Sequence, residues 1–190
     1  FDALNRQISR LEYGDVTEQA VGIMAKIPAH TLFGWRDAVV YYEHCAHGHA
    51  LENEEIVPKL FSQDAATADQ EVEAADKALR GLVTQMKRAA VSMDARSRAV
   101  AGLVELAVEA IRLWNETGAA VVHERQGSAL PQQEAFALAG RLERWFMAFK
   151  SQWRSVGREG DLHHIAEIVF WYTDCLRRRK AESDAAKSFL

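Results

Sequence analysis

The 190 residues are 48% hydrophobic and 26% charged, the proportions of an ordinary globular protein with enough apolar mass for one domain and its core. The formal net charge of −4 leaves no basic excess to hold a nucleic-acid backbone. No apolar run approaches the ~20 residues of a membrane span.

Two cysteines, Cys45 and Cys175, make no disulfide framework at this length. A reducing, cytoplasmic compartment is the expectation. The start at Phe1 rather than Met leaves a removed targeting peptide open.

Only three prolines occur, alanine is abundant and apolar residues recur at helical spacing, so the chain reads as all-α. The first helix is expected from Phe1 to Tyr13, with Leu4, Ile8 and Leu11 as its apolar stripe and Gly14-Asp15 as its break. A short helix follows from about Thr17 to Ile27, closed by Pro28. Thr31 is a candidate cap for a long third helix carrying Phe33, Trp35, Val39, Tyr42 and a histidine cluster, with Pro58 as a kink or near its end. Thr67-Ala68-Asp69-Gln70 fits a capping box before a helix that buries Val72, Leu79, Leu82, Val83 and Met86.

Ser92 to Asp94 offers a break and a fresh cap. The next helix runs to about His123, with Val100, Leu103, Val104, Ala107, Ile111 and Trp114 inward. Glu124 to Leu130 reads as a loop, and Pro131 suits the first turn of a helix carrying Phe136, Leu138, Leu142, Trp145, Phe146 and Phe149. After a turn over Val156 to Gly160, Asp161 caps a final helix to about Lys180. Its Arg177-Arg178-Arg179-Lys180 end complements the helix dipole. The last ten residues are polar and expected to fray. Long helices joined by short loops pack as an up-down bundle, and one or two of these helices should lie outside a four-helix core.

The densest chemistry lies in His44-Cys45-Ala46-His47-Gly48-His49-Ala50-Leu51-Glu52-Asn53-Glu54-Glu55-Ile56-Val57-Pro58. Imidazoles and carboxylates on one helix are what a buried metal site in a bundle is made from. From Glu52 to Pro58 the stretch resembles the second helix of hemerythrin-like (HHE cation-binding) domains. The resemblance implies an up-down four-helix bundle of hemerythrin-like type, with a non-haem di-iron site held by histidines and two carboxylates. It puts Glu52 at the second-helix glutamate ligand, Glu54 and Glu55 at the trailing acids, and Ile56-Val57 at the apolar pair before Pro58.

Other family positions are occupied differently. Gly48 stands where the second-helix histidine is expected, between His47 and His49. Phe1 takes the first-helix histidine position, and Asp76 the third-helix one. Glu124 matches the closing acid, with Ala119 or Ala120 at its histidine. The resemblance covers about the first two-thirds of the chain. It implies one helical domain over 1–190: a hemerythrin-like bundle over 1–132, additional helices over 133–182 and a tail over 183–190.

Each candidate has an ordinary alternative. His49 and Glu52 share a helix face if the helix runs through them, and reach one ion or simply pair with each other. His44 and His47 lie on another face and can make a surface transition-metal site with Glu43 or Glu55. His163, His164 and Glu167 form a second cluster, in which His163 and Glu167 have the one-turn spacing of a ligand pair; the ordinary alternative is a capped first turn, Asp161-Leu162-His163-His164, with exposed imidazoles. Cys45 is either a redox-active thiolate lowered by the histidines or a small buried residue. Trp145, Phe146, Phe149, Trp153, Phe170, Trp171 and Tyr172 line a cofactor pocket or form core.

The expected function is a diverged hemerythrin-like bundle serving as a binding, regulatory or scaffold module with a degenerate metal site and a protein partner. The cofactor is iron or another transition metal, or none. Two alternatives stay open. One is an iron-binding oxygen or redox sensor, or a di-metal carboxylate oxidoreductase, although the paired Glu-x-x-His motifs of ferritin-like enzymes are missing. The other is a structural subunit of a larger assembly.

Overall fold

The computed structural model describes residues 1–50, 63–156 and 159–187. Every regular element among them is helical, as composition and periodicity predict. The elements are α1 (Asp2–Tyr13), α2 (Ala20–Lys26), a 3₁₀ turn (Ile27–His30), α3 (Trp35–His47), α4 (Ala65–Ala90), α5 (Ala95–Arg125), α6 (Gln132–Val156), a second 3₁₀ turn (Glu159–Asp161) and α7 (Leu162–Lys187). No described helix is long and apolar enough to cross a membrane. The chain divides into two compact units, one of Phe1–Thr31 and Gln70–Arg112, the other of Leu32–Asp69 and Leu113–Leu190.

In the first unit the core is built from Ile23 and Ile27 with Leu79, Leu82, Met86, Met93, Ala101 and Val108. Burying each large apolar side chain contributes about 1.5–3 kcal/mol. The expected stripe on α1 is not its buried face: Leu4 and Leu11 are exposed, and the residue sealed from solvent is Ser9. Its hydroxyl donates to the Asn5 carbonyl at 2.7 Å and accepts the Val21 N–H at 3.0 Å, so a polar contact docks this helix near the start of α2. The stripe on α5 is also rotated from expectation. Ala101 and Val108 are buried while Leu103 and Ala107 are exposed.

α1 ends at Gly14, whose φ of 64° suits a residue without Cβ. Asp15 then caps α2 from a distance. Its carboxylate accepts the backbone N–H groups of Thr17, Gln19 and Ala20, each at 2.8 Å, and the Thr17 hydroxyl at 2.6 Å. These bonds explain why α2 starts at Ala20 rather than near Thr17.

In the second unit α6 and α7 form the most extensive helix pairing. Glu143 meets Arg177 and Phe146 meets Phe170, so the two helices run antiparallel. Leu142 and Phe146 of α6 and Ile168, Val169 and Tyr172 of α7 are all buried. Tyr172 packs edge-on against Phe33 and Trp114, and its hydroxyl donates to the Ala38 carbonyl of α3 at 2.8 Å. Phe136, one of the apolar residues of α6, is exposed.

Helix ends in this unit are set by carboxylates and carboxamides. α3 begins after Gly34 rather than at Thr31, because the Asp37 carboxylate reaches back to the Gly34 N–H at 2.8 Å. α4 is capped by Asp64 and not by Thr67: both Asp64 oxygens are taken by Thr67, through its N–H at 2.9 Å and its hydroxyl at 2.8 Å. Gln126, past the end of α5, accepts the Ala65 N–H and donates to the Gln63 carbonyl, both at 2.9 Å. α7 continues to Lys187, beyond the expected stop near Lys180.

Candidate functional site

The third helix stops where the histidine cluster begins to matter. Gly48 has φ 70° and ψ 20°, its N–H returns to the His44 carbonyl at 3.1 Å, and His49 N–H reaches the Glu43 carbonyl at 3.3 Å. The expectation of one helix through His49 toward Glu52 is therefore corrected: a left-handed glycine turns the chain out of helical register after His47. His44 and His47 stay on α3, and His49 lies beyond it.

The three imidazoles have ordinary partners. His44 Nδ1 lies 2.7 Å from the His49 carbonyl, and His49 Nδ1 lies 3.3 Å from a Glu43 oxygen. His47 stacks edge-on against Tyr42, with Nε2 3.2 Å from the Tyr42 hydroxyl. That hydroxyl donates to Glu167 of α7 at 2.8 Å. With its hydrogen given to Glu167, the Tyr42 oxygen accepts, so His47 Nε2 must carry a hydrogen and donate.

The Tyr42 bond holds the Glu167 carboxyl below its usual range against a smaller opposing effect of burial, and the His164 and His47 charges help. The same bond raises the Tyr42 phenol. Of the expected cluster of His163, His164 and Glu167, the acid pairs with His164 at 3.7 Å, and His163 is exposed.

The remaining expected ligands are scattered. Glu52 and Glu55, with Glu54 and the Ile56-Val57-Pro58 ending, lie outside the described residues. Asp76 is in the first unit, where one oxygen takes the Arg112 Nε–H and the other takes Arg80 Nε at 2.6 Å. Burial pushes the Asp76 carboxyl up, and the two guanidiniums outweigh it, holding it below its ordinary value. Ala119 and Ala120, one of which the resemblance expects at the closing histidine position, are buried and bring no donor. Among the described residues, no group of three or more His, Cys, Asp or Glu side chains is placed to hold a metal ion.

Glu124 finds a different setting. It stands with α3, α5 and α7 side chains around a cavity of about 180 Å³. Three aromatic rings line this space, Tyr41, Trp171 and Tyr172, together with both cysteines, Cys45 and Cys175. Tyr41 stacks on Tyr172 with centroids 6.4 Å apart, and Trp171 meets Tyr41 edge-on at 6.2 Å. Burial raises the Tyr41 phenol, as does Cys45, to which it is hydrogen-bonded. Burial likewise raises the Tyr172 phenol, so both rings present neutral phenols.

Of the aromatic set singled out in the sequence, Trp171 and Tyr172 reach this cavity, whereas Phe146 packs on Phe170 and Trp145 stacks on Phe149. Cys45 is exposed rather than a small buried residue. Tyr41 and Cys175 were not foreseen in this role. Tyr41 and Cys45, like Trp171 and Cys175, are one helical turn apart, and that spacing is the signal that could have grouped them.

No family model, curated protein or solved structure matches the chain. The hemerythrin-like resemblance therefore rests on the residues quoted for it.

Proposed function

We propose that the chain is a helical binding or scaffold module: a diverged hemerythrin-like bundle with a degenerate metal site, acting through a protein partner. The observation that carries this reading is Asp76. At the family's third-helix ligand position, both carboxylate oxygens are engaged by guanidiniums, Arg112 on one and Arg80 on the other. A carboxylate in that state has its charge taken up by an arginine of its own helix and one of α5 rather than by a metal ion. Gly48 supports the same reading, because the position where the resemblance expects a histidine is a left-handed glycine that ends α3 and carries no ligand.

The test is elemental analysis of protein purified without a histidine tag, alongside Glu52→Ala. The expected result is no near-stoichiometric iron, manganese or zinc, and a variant that folds as well as the parent. Near-stoichiometric metal that disappears in Glu52→Ala would overturn the proposal. It would establish instead an iron-binding sensor or a di-metal carboxylate oxidoreductase.

A further inference from the structure

We infer that the exposed apolar face of α1 is a contact surface for a second copy of this chain, seated antiparallel across a two-fold axis. α1 separates apolar from polar residues more sharply than any other long helix described. A helix of that kind ordinarily turns its apolar stripe inward. Here the stripe faces solvent: Phe1, Leu4 and Leu11 are 103%, 52% and 70% exposed, and Ile8 between them is only partly covered. The helix is held to its own chain elsewhere on its surface, through the buried Ser9.

The spacing points to the occupant. Phe1, Leu4, Ile8 and Leu11 follow one another at intervals of three, four and three, the a and d positions of a helix-pairing seam. That series of intervals reads the same in both directions. Two copies laid antiparallel therefore set Phe1 of one against Leu11 of the other, and Leu4 against Ile8. Each match occurs twice, as an isologous two-fold contact requires. In this register the residue level with its own copy is Arg6, which lies on the side of the helix opposite the stripe, so the two guanidiniums do not meet.

The area is sufficient. Burying an aromatic side chain removes ~150–250 Å² and a leucine somewhat less, so the stripe with the stems of Gln7 and Arg10 covers on the order of 500–600 Å² per copy. The pair then buries roughly 1,000–1,200 Å², the low end for a specific interface and suited to a reversible dimer of micromolar strength. A helix of this length is too short to stand alone in water, but the fold already holds it, so association does not have to nucleate it. A lipid surface suits the face less well. Asp2 and Glu12 balance Arg6 and Arg10, leaving no cationic excess on α1 for anionic headgroups. The face lies on α1 alone, so the inference holds whether or not the bundle carries a metal.

The experiment is sedimentation equilibrium of the full chain up to about 300 µM, where a dimer of micromolar strength is the main species. Leu4→Glu and Leu11→Glu change exposed side chains, and circular dichroism confirms their helices. Each should weaken the dimer at least about a hundredfold, because the symmetry buries every introduced carboxylate twice. Met147→Glu, at an exposed apolar residue of α6, is the control and should leave the dimer as it is. Adding Phe1→Lys to Leu11→Glu should recover about tenfold, because the antiparallel register sets lysine against glutamate, whereas a parallel one sets like charges together.

A parent chain that stays monomeric throughout would overturn the proposal, and its co-flotation with phosphatidylcholine vesicles would make the face a lipid surface instead. A dimer untouched by Leu4→Glu and Leu11→Glu would overturn it by placing the interface elsewhere. Failure of Phe1→Lys to recover any association would overturn the antiparallel seating. The mass of the parent needs no variant and so decides the first question even if a variant folds poorly.

Discussion

The Arg112 guanidinium of α5 holds Asp76 of α4 through Nε and Glu109 of its own helix through Nη1, joining two helices of the first unit by one cation. The side chains of Arg112 and Asp76 are only 17% and 25% exposed, so solvent screens the pair weakly. Asp76→Ala leaves two guanidiniums without their shared carboxylate and should destabilise the chain by about 1–3 kcal/mol in urea denaturation. Asp76→His, which places an imidazole where the hemerythrin-like resemblance expects one, should destabilise too and bring no metal. The folded carboxyl titrates below the ordinary value of 3.8. The pair's stabilisation is therefore complete above that value and is lost as pH falls through the lower folded one. The Asp76→Ala variant should show a shallower acid dependence of stability than the parent.

Asp15 makes a second carboxylate-dependent prediction. It is fully buried and its oxygens accept four hydrogen bonds, three from backbone N–H groups at the start of α2. Burial works to raise this carboxyl, and the Thr17 hydroxyl with the three amides more than offsets it, so the group stays ionised below its ordinary range. Asp15→Ala should cost about 2–4 kcal/mol, more than an exposed cap, because the Ala20 amide it strands is buried and two part-buried amides lose their acceptor with it. Hydrogen exchange at Gln19 and Ala20 should rise in the variant. Unchanged exchange there would show that the cap does not hold α2.

Two glycines with empty space beside them should respond with opposite signs. Neither Gly48 nor Gly102 has a heavy atom within 4 Å of where a Cβ would stand, so sterics with neighbours do not decide the outcome. Gly48 has φ of +70°, and Gly48→Ala should destabilise by about 1 kcal/mol. Gly102 sits within α5 and is exposed, and Gly102→Ala should stabilise by about 0.5–1 kcal/mol. Thermal denaturation of the two variants under one set of conditions checks both.

Those glycines also show what the sequence could and could not convey. Gly14 is readable as a helix end because polar Asp15 follows it and apolar periodicity stops. Gly48 is flanked by His47 and His49, residues that sit comfortably in a helix, so pattern alone carried the helix through a left-handed turn. The helices themselves were legible because apolar residues recur at helical spacing along α4, α6 and α7. Burial on α1 was not, since a serine hydroxyl rather than a leucine stripe docks it. Partnerships such as Asp76 with Arg112, or Glu143 with Arg177, depend on which helices become neighbours, and one-dimensional spacing holds no record of that. The cavity was hidden for the same reason: its rings, thiols and carboxylate come from three helices far apart in the chain.

Asn115 and Thr117 separate a long-range polar contact from a local one on a single helix. Both are buried, at 1% exposure. Asn115 Oδ1 accepts the N–H of Leu32 at 2.8 Å and of Phe33 at 3.1 Å, pinning the chain that leads into α3. The Thr117 hydroxyl donates to the Leu113 carbonyl one turn back in α5, an acceptor the helix already uses. Asn115→Ala removes the acceptor of two amides and opens space beside the buried Phe33, and should cost about 2–4 kcal/mol. Thr117→Val strands no partner and should cost below about 1 kcal/mol. Guanidinium denaturation of the two variants measures the difference. Equal losses would mean that Asn115 contributes only its volume, and that the approach to α3 is held by Phe33 packing on Tyr172 instead.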